Sequence, residues 1–354
     1  MLKHRNYILK LLSTPNRHTL IWGDSGYGKS YYCYRIVETE YGMHRKILIL
    51  DFSGSYDKHE IHKAGLQIPH ITWNPYRNPF FWRMTVNSDE EFVSKIVDTL
   101  VNIMNIGSYF QRKLLIEAVQ MQVRQHRMFN FRDFFHTLEK LYAKKDLTDA
   151  CADELTNMER LLNRFFPYRD LDTIHIKQGK SSDKSSMSHL CILQLSEYPE
   201  NPRKFLTLLF SELVWLESKN RNSQNKFDTI LFDEFQFLPL NSGSALAHFL
   251  REGRKLGVGL VLSSQFISTY SQEELETLLQ VSNILIFHPN DRDLKFSAKI
   301  LDYQHPNLWV PLLEKLEIGQ AILKGNYSLA HKEQVLHSPI ICNITSEDGG
   351  NKNE

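Results

Sequence analysis

Apolar residues fall along this chain in two rhythms. The first is the short unbroken run. Residues 19–22, 46–51, 190–195, 227–232 and 257–265 each carry consecutive Ile, Leu, Val, Phe or Trp between polar flanks. Such a run has no polar face, so it predicts a strand buried on both sides, as in a parallel sheet covered by helices. Runs at 283–287 and 319–323, and weaker ones at 173–176 and 334–337, predict further strands. The second rhythm is helical. Residues 3–12 predict a short amphipathic helix, residues 31–37 a helix directly after the first run, and residues 202–220 and 244–256 two more. From 89 to about 166 the spacing is helical throughout. Phe92, Ile96, Leu100 and Ile103 make one stripe, and Leu114, Leu115, Ala118 and Met121 a second. Phe131, Phe134, Phe135 and Leu138 make a third, and Leu155, Met158, Leu161, Leu162 and Phe165 a fourth. Stripes of this kind are core-facing helix faces, so this stretch predicts an all-helical insertion that is not part of the sheet.

The pattern predicts an α/β fold with a mostly parallel central sheet flanked by helices, plus that insertion. The expected organisation is a short N-terminal segment (1–18), an α/β domain in two pieces (19–85 and 170–343), the helical insertion (86–169) and a polar tail (344–354) expected to be disordered. Residues 68–85, rich in Pro and aromatics, predict an irregular segment covering the sheet edge. Residues 177–188, with Lys177, Lys180, Lys184 and five serines, predict a mobile polar loop.

Composition changes the picture little. With 354 residues, a net charge of +1 and 42% hydrophobic residues, the chain reads as an ordinary globular protein without a global basic field. Its four cysteines (Cys33, Cys151, Cys191, Cys342) are far apart and lack C-x-x-C spacing, which points to reduced thiols in a cytoplasmic protein. No apolar run reaches the roughly 18 residues of a membrane span, and the first residues lack a signal-peptide core, so no direct membrane insertion is expected.

The candidate chemistry is concentrated in residues 23–30. Gly23-Asp24-Ser25-Gly26-Tyr27-Gly28-Lys29-Ser30 is G-x-x-x-x-G-K-S set between an apolar run and a helical stretch that opens with Tyr31. The glycines let the backbone turn and bring several N–H groups onto a phosphate at a helix N-terminus. Lys29 is placed to reach the β- and γ-phosphates of ATP, and Ser30 to sit on Mg²⁺. Ile230-Leu231-Phe232-Asp233-Glu234 supplies the matching half: Asp233 for the Mg²⁺ shell and Glu234 to polarise the attacking water, on a strand expected beside the phosphate-loop strand. Asp51 ends another apolar run. It is either part of the Mg²⁺ and water environment or a turn-capping aspartate. Gln265, also at a strand end, reads as a hydrogen-bonding sensor of the water or γ-phosphate, or as a capping glutamine. Arg251 and Arg254 either complement a helix dipole or reach a neighbouring subunit's ATP as a trans arginine finger.

The order of these features resembles the HerA/FtsK superfamily of hexameric motor ATPases, in its HerA and conjugation-ATPase (TraG-like) branch. The most specific piece is R-E-G-R-K-x-G-x-G-L-x-L-x-x-Q at residues 251–265. Ile192–Glu197 and Leu316–Ile322 resemble further family segments. The resemblance runs from about residue 15 to 343. It implies a RecA-like P-loop NTPase fold, a homo-oligomeric ring, and ATP-driven movement of double-stranded DNA, with lysines of the 177–184 loop as candidate backbone contacts. Two departures stand out. HerA carries an N-terminal β-barrel where only about 18 residues precede the first strand here, so the expectation is either a bare motor domain that hexamerises without the barrel or one that depends on a separate loading protein. Ser55 also stands where the family's D-P-x-G-E-Y loop has glutamate. Two alternatives remain: a regulatory ATPase that scaffolds a separate effector, such as a nuclease in anti-phage defence, and a conjugation or secretion motor docked onto membrane partners.

Overall fold

The computed structural model describes residues 2–4, 7–11, 15–65, 68–73, 81–82, 84–126, 128–146, 152–169, 171, 175–177, 189–220, 223, 226–329 and 336–344. In chain order the first elements are β1 (Leu2–His4), β2 (Tyr7–Leu11), β3 (Thr19–Trp22), α1 (Lys29–Gly42), β4 (Ile47–Asp51), α2 (Lys58–Lys63), β5 (Ile71–Trp73) and β6 (Phe81–Trp82). Next come α3 (Asp89–Met104), α4 (Tyr109–His126), β7 (Met128–Phe129), α5 (Phe131–Asp146), α6 (Ala152–Phe165) and β8 (His175–Lys177). They are followed by β9 (Leu190–Gln194), α7 (Glu200–Lys219), β10 (Thr229–Phe232), α8 (Ala245–Leu256), β11 (Gly259–Ser264) and α9 (Gln272–Leu278). The chain closes with β12 (Asn283–Ile286), α10 (Asp291–Leu301), α11 (Pro306–Glu314), β13 (Gln320–Lys324), β14 (Tyr327–Leu329) and β15 (Ile340–Ile344).

Among the described residues one 12-stranded sheet carries the order β14-β2-β1-β15-β13-β12-β3-β11-β10-β4-β9-β5. From β12 to β5 every pairing is parallel, and from β13 to β14 every pairing is antiparallel. The parallel half is where the unbroken apolar runs lie, and its alternation explains them. In β3, Leu20 and Trp22 join the core on one face of the sheet while Ile21 joins the core on the other. In β4, Leu48 and Leu50 divide from Ile47 and Ile49 in the same way. A strand covered on both sides needs apolar residues at every position.

The two faces differ in thickness. On one, α1 contributes Tyr32, Cys33 and Val37. On the other, α7 and α8 pack on the sheet, and α3 to α6 continue the same apolar cluster outward through Phe92, Ile96, Leu115, Phe134 and Phe165. Met121, grouped with the α4 stripe on spacing, is instead exposed. Cys33, Cys191 and Cys342 are buried free thiols.

Several sequence expectations are corrected. Of residues 3–12 the described ones, 3–4 and 7–11, are strand and not helix: β1 and β2 pair antiparallel and join the sheet, with Leu2 opposite Ile344 and Tyr7 opposite His4. That partnership is 342 positions distant, so local spacing carries no trace of it. The 68–85 segment is not wholly irregular, since β5 adds a parallel edge strand beside β9. The strand bearing Asp233 and Glu234 does not adjoin the phosphate-loop strand: β11 lies between β10 and β3. Of the 334–337 run Leu336 and His337 are described, Leu336 in a bridge to Tyr327. Residues 178–188 of the lysine loop and 345–354 of the tail lie outside the described residues.

Candidate active site

The parallel register brings the ends of β3, β11, β10 and β4 to one edge, the carboxyl edge where open α/β sheets bind ligands. The loop leaving β3 uses left-handed glycines at Gly23 (φ 142°), Gly26 (φ 85°) and Gly28 (φ 109°). Gly23 is also sterically obligatory, because a Cβ there would meet Phe287 Cβ at 2.8 Å and the His288 carbonyl oxygen at 2.9 Å. Gly28 is the N-cap of α1 and offers no side-chain cap, so the first-turn N–H groups are left for an external acceptor. His288 steadies the loop from β12. Its carbonyl accepts the Asp24 N–H at 2.7 Å, and its ring stacks on Tyr27 with centroids 4.6 Å apart. Ser25 and Gly26 are exposed at the loop tip, while Tyr31 is held on α1 by the Arg35 guanidinium.

Lys29 is buried within this cradle, where its ammonium donates to the Gly23 and Asp24 carbonyls at 2.7 and 2.8 Å. Burial lowers its pKa, and the Glu234, Asp24 and Asp233 carboxylates pull the other way. Ser30 follows on the first turn of α1.

Across the edge, Asp233 is 5% exposed. Its Oδ2 accepts from both the backbone N–H (3.1 Å) and the hydroxyl of Ser53. With the Ser53 proton committed to Asp233, the Ser55 hydroxyl is the donor in the 2.7 Å contact between the two serines. Ser55, at the position of the family's glutamate, therefore supports Asp233 indirectly. Asp51 is fully buried and spends both oxygens on its own loop, accepting from Gly54 N–H (2.8 Å) and Tyr56 N–H (3.2 Å). Of its two readings, the turn-capping one is what the hydrogen bonds show. Burial raises the pKa of both Asp51 and Asp233; repulsion from Asp233 adds to it at Asp51, and repulsion from Glu234 adds at Asp233.

Glu234 is one of few non-glycine residues described with positive φ (54°), a conformation that costs energy and recurs at working sites. Its Oε1 accepts from Gln265 Nε2 at 2.9 Å and its Oε2 from Gln236 Nε2. The structure thus brings Gln265 directly to Glu234. The Gln265 loop is itself held by buried Asp293, which accepts the Ile267 and Ser268 N–H groups at 2.8 and 3.0 Å. Arg251 and Arg254 are elsewhere. Both are exposed on α8; Arg251 reaches back to the Ser242 carbonyl (3.3 Å), and Arg254 sits in the last turn, beside the amino edge of the sheet. Among the described residues neither hydrogen-bonds the phosphate loop.

Ser53, Gln236, Ser264, His288 and Asp293 were not singled out by the sequence. Ser53, Gln236 and Ser264 lie within or beside motifs already described, at 51–56, 230–234 and 251–265, whereas nothing local marks His288 or Asp293.

These donors fit a nucleoside polyphosphate with Mg²⁺. The glycine cradle with its uncapped helix start suits phosphate oxygens. Among the described residues there is no cluster of three or more His, Cys, Asp or Glu able to cage a metal unaided. A lone carboxylate and a hydroxyl are what Mg²⁺ uses when phosphate oxygens and water complete its shell.

Comparison with known proteins agrees with this geometry. Residues 7–214 match the family model of the central domain of the helicase HerA, more than half of the chain. The chain belongs to the HerA central-domain family. It is 22% identical over 358 residues to the DNA double-strand break repair helicase HerA of Sulfolobus acidocaldarius, spanning 97% of this chain and 68% of that one. With the HerA of Sulfurisphaera tokodaii it shares 20% identity over 94% of this chain and 66% of the relative, so it spans about two thirds of the length of these curated relatives. The solved structure of the plasmid coupling protein TrwB in complex with ADP and Mg²⁺ superposes with a TM-score of 0.63 at 16% identity, over 94% of this chain and 86% of that one. That likeness shows the fold alone, a RecA-like P-loop architecture. Among the described residues no helix is long and apolar enough to cross a membrane.

Proposed function

We propose that this chain is an ATP-hydrolysing motor of the HerA type that acts on double-stranded DNA. The observation that carries this reading is the convergence of Lys29, Asp233, Glu234 and Gln265 on one sheet edge. Glu234 is hydrogen-bonded by the glutamine at the end of the strand next to the phosphate loop. The likeness to proteins named as DNA repair helicases and as a plasmid coupling protein supports DNA as the substrate.

The roles follow from the side chains. Lys29 leaves its loop carbonyls to meet phosphate oxygens, and the first-turn N–H groups of α1 orient the same phosphates. Ser30 and Asp233 would hold Mg²⁺, with Ser53 fixing the Asp233 oxygen. When bound, the metal supplies charge neutralisation at the transferred phosphoryl group. Glu234 accepts a proton from water as general base, and Gln265 orients the carboxylate and reports the nucleotide state. Arg251 and Arg254, exposed and remote from their own site, serve a neighbouring subunit in a ring.

The test is duplex DNA binding by the Glu234→Gln variant, which should bind ATP without turning it over. With ATP it is expected to hold duplex of unrelated sequences equally, with affinity falling steeply as salt rises. No binding at low salt in any nucleotide state would contradict a DNA-handling role.

A further inference from the structure

We propose that Gln236 is a positioning residue for Glu234, held in its working orientation by Ser264. The inference rests on the reading of Glu234 as the general base.

Both oxygens of the Glu234 carboxylate accept a hydrogen bond from a side-chain amide, one from Gln265 and one from Gln236. A carboxylate only accepts, so Gln236 must present its NH₂ to Glu234 and its carbonyl oxygen to whatever lies behind. What lies behind is Ser264, whose Oγ is 2.7 Å from Gln236 Oε1. That oxygen only accepts, so the Ser264 hydroxyl is the donor; its single proton is shared between Gln236 Oε1 and the Phe266 carbonyl, while Ser264 Oγ accepts the Phe266 N–H at 3.1 Å. The amide orientation of Gln236 is thereby set by Glu234 and supported, through a shared proton, by Ser264.

The two amides are not equivalent. Gln265 lies past the end of β11, in the loop that the proposed function assigns to reading the nucleotide. A residue that changes partner with nucleotide state does not hold the base by itself. Gln236 stands on a fixed platform. It sits within the turn Phe235–Phe237, which the buried Tyr270 hydroxyl closes by contacts to the Phe235 carbonyl at 2.8 Å and the Leu238 carbonyl at 3.1 Å. The Phe235 ring stacks on Tyr270, with centroids 5.8 Å apart. Ser264 is equally fixed, in register with Trp22, the residue immediately before Gly23. The relay Ser264–Gln236–Glu234 therefore ties the base to the strand that launches the phosphate loop. It also supports a glutamate whose own backbone is in a left-handed conformation (φ 54°, ψ 48°).

The experiment compares wild type, Glu234→Gln, Gln236→Met and Ser264→Ala. Methionine keeps the length of glutamine and removes the donor. Gln236→Met is expected to lower kcat roughly ten- to a hundredfold, the worth of a hydrogen bond to a charged group. Affinity for ADP and the melting temperature of the nucleotide-free protein should stay at wild-type values. Ser264→Ala should lower kcat in the same way but less, and the double variant should lose no more than Gln236→Met alone, because both act through one contact. A crystal structure of nucleotide-free Gln236→Met should show the Glu234 carboxylate turned from its present orientation. Wild-type kcat in Gln236→Met, with Glu234→Gln inactive, would overturn the inference and leave the base assignment standing. Equal losses in kcat, ADP affinity and melting temperature would overturn it too, by showing a purely structural role. Full activity in Glu234→Gln would overturn both.

Discussion

Gly23 and Lys29 show how a residue type is dictated by its surroundings. Alanine at Gly23 would place a methyl within 2.9 Å of Phe287 and His288 in a backbone region that side chains avoid, so the loop must move. Gly23→Ala is expected to cost about 1–3 kcal/mol of stability as an overpacking change and to weaken ADP binding, measured by calorimetry. Lys29→Ala should lower nucleotide affinity by roughly a hundredfold, the loss of a charge-assisted contact, with little change in melting temperature. A lysine variant that binds ADP as wild type does would contradict the phosphate-loop assignment. These positions were legible because their spacing is local: the motif lies in eight consecutive residues before a helix. Ser53 was not, because its hydrogen bonds join it to Asp233, 180 positions away, and only the parallel pairing of β4 with β10 makes them neighbours. Asp51 was legible as a carboxylate at a strand end, but its role waited on knowing that Gly54 and Tyr56 take both its oxygens.

At the scale of elements, the stretch that most resembles the family, residues 251–265, proves at its glycines to be a packing device. A Cβ at Gly253 would meet the His18 ring at 3.1 Å and the Val258 carbonyl at 3.3 Å. Gly257 closes α8 in the left-handed conformation (φ 77°), and Gly259 lies against the Arg17 side chain, 3.0 Å from where its own Cβ would be. His18 is fully buried between α8 and β11, with Nδ1 accepting the Leu260 N–H at 3.1 Å. Gly253→Ala is expected to destabilise the protein by about 1–3 kcal/mol, read as a lower denaturation midpoint. Burial, helped by the nearby Arg17 charge, lowers the His18 pKa from 6.5 to about 4. The unfolded chain therefore binds more protons than the folded one between those values. The neutral ring's contribution is complete above pH 6.5 and is lost as pH falls toward 4, about 3 kcal/mol in all. Asp51 and Asp233, with raised pKa values, act in the opposite direction over part of that range. The check is accordingly a difference: stability of wild type minus that of His18→Asn should shrink on going from pH 7 to pH 4.5, and a constant difference would contradict a neutral buried ring. The buried strands and long helices were legible from periodicity because each satisfies its hydrophobic pattern locally. The β1–β2 pair was not, since its partner is β15 at the other end of the chain.

For the whole molecule, the sheet joins a parallel half that carries the site to an antiparallel half built from both ends of the described chain. The exposed arginines of α8 belong at this scale, because no residue of their own phosphate loop meets them. In the ring that we propose, Arg251→Ala or Arg254→Ala should reduce hydrolysis while leaving ADP affinity intact. Wild-type turnover in both variants would contradict a shared site. The central claim is that Lys29, Asp233 and Glu234 form one hydrolytic site coupled to DNA. Its most direct test is the rate of ATP hydrolysis by wild type and Glu234→Gln, each with Mg²⁺, with and without duplex DNA. The account predicts that duplex raises the wild-type rate and that Glu234→Gln lowers it at least about a hundredfold, the range of a lost general base, while still binding ATP. A wild-type rate indifferent to duplex, or a Glu234→Gln protein that hydrolyses ATP as fast as wild type, would contradict it.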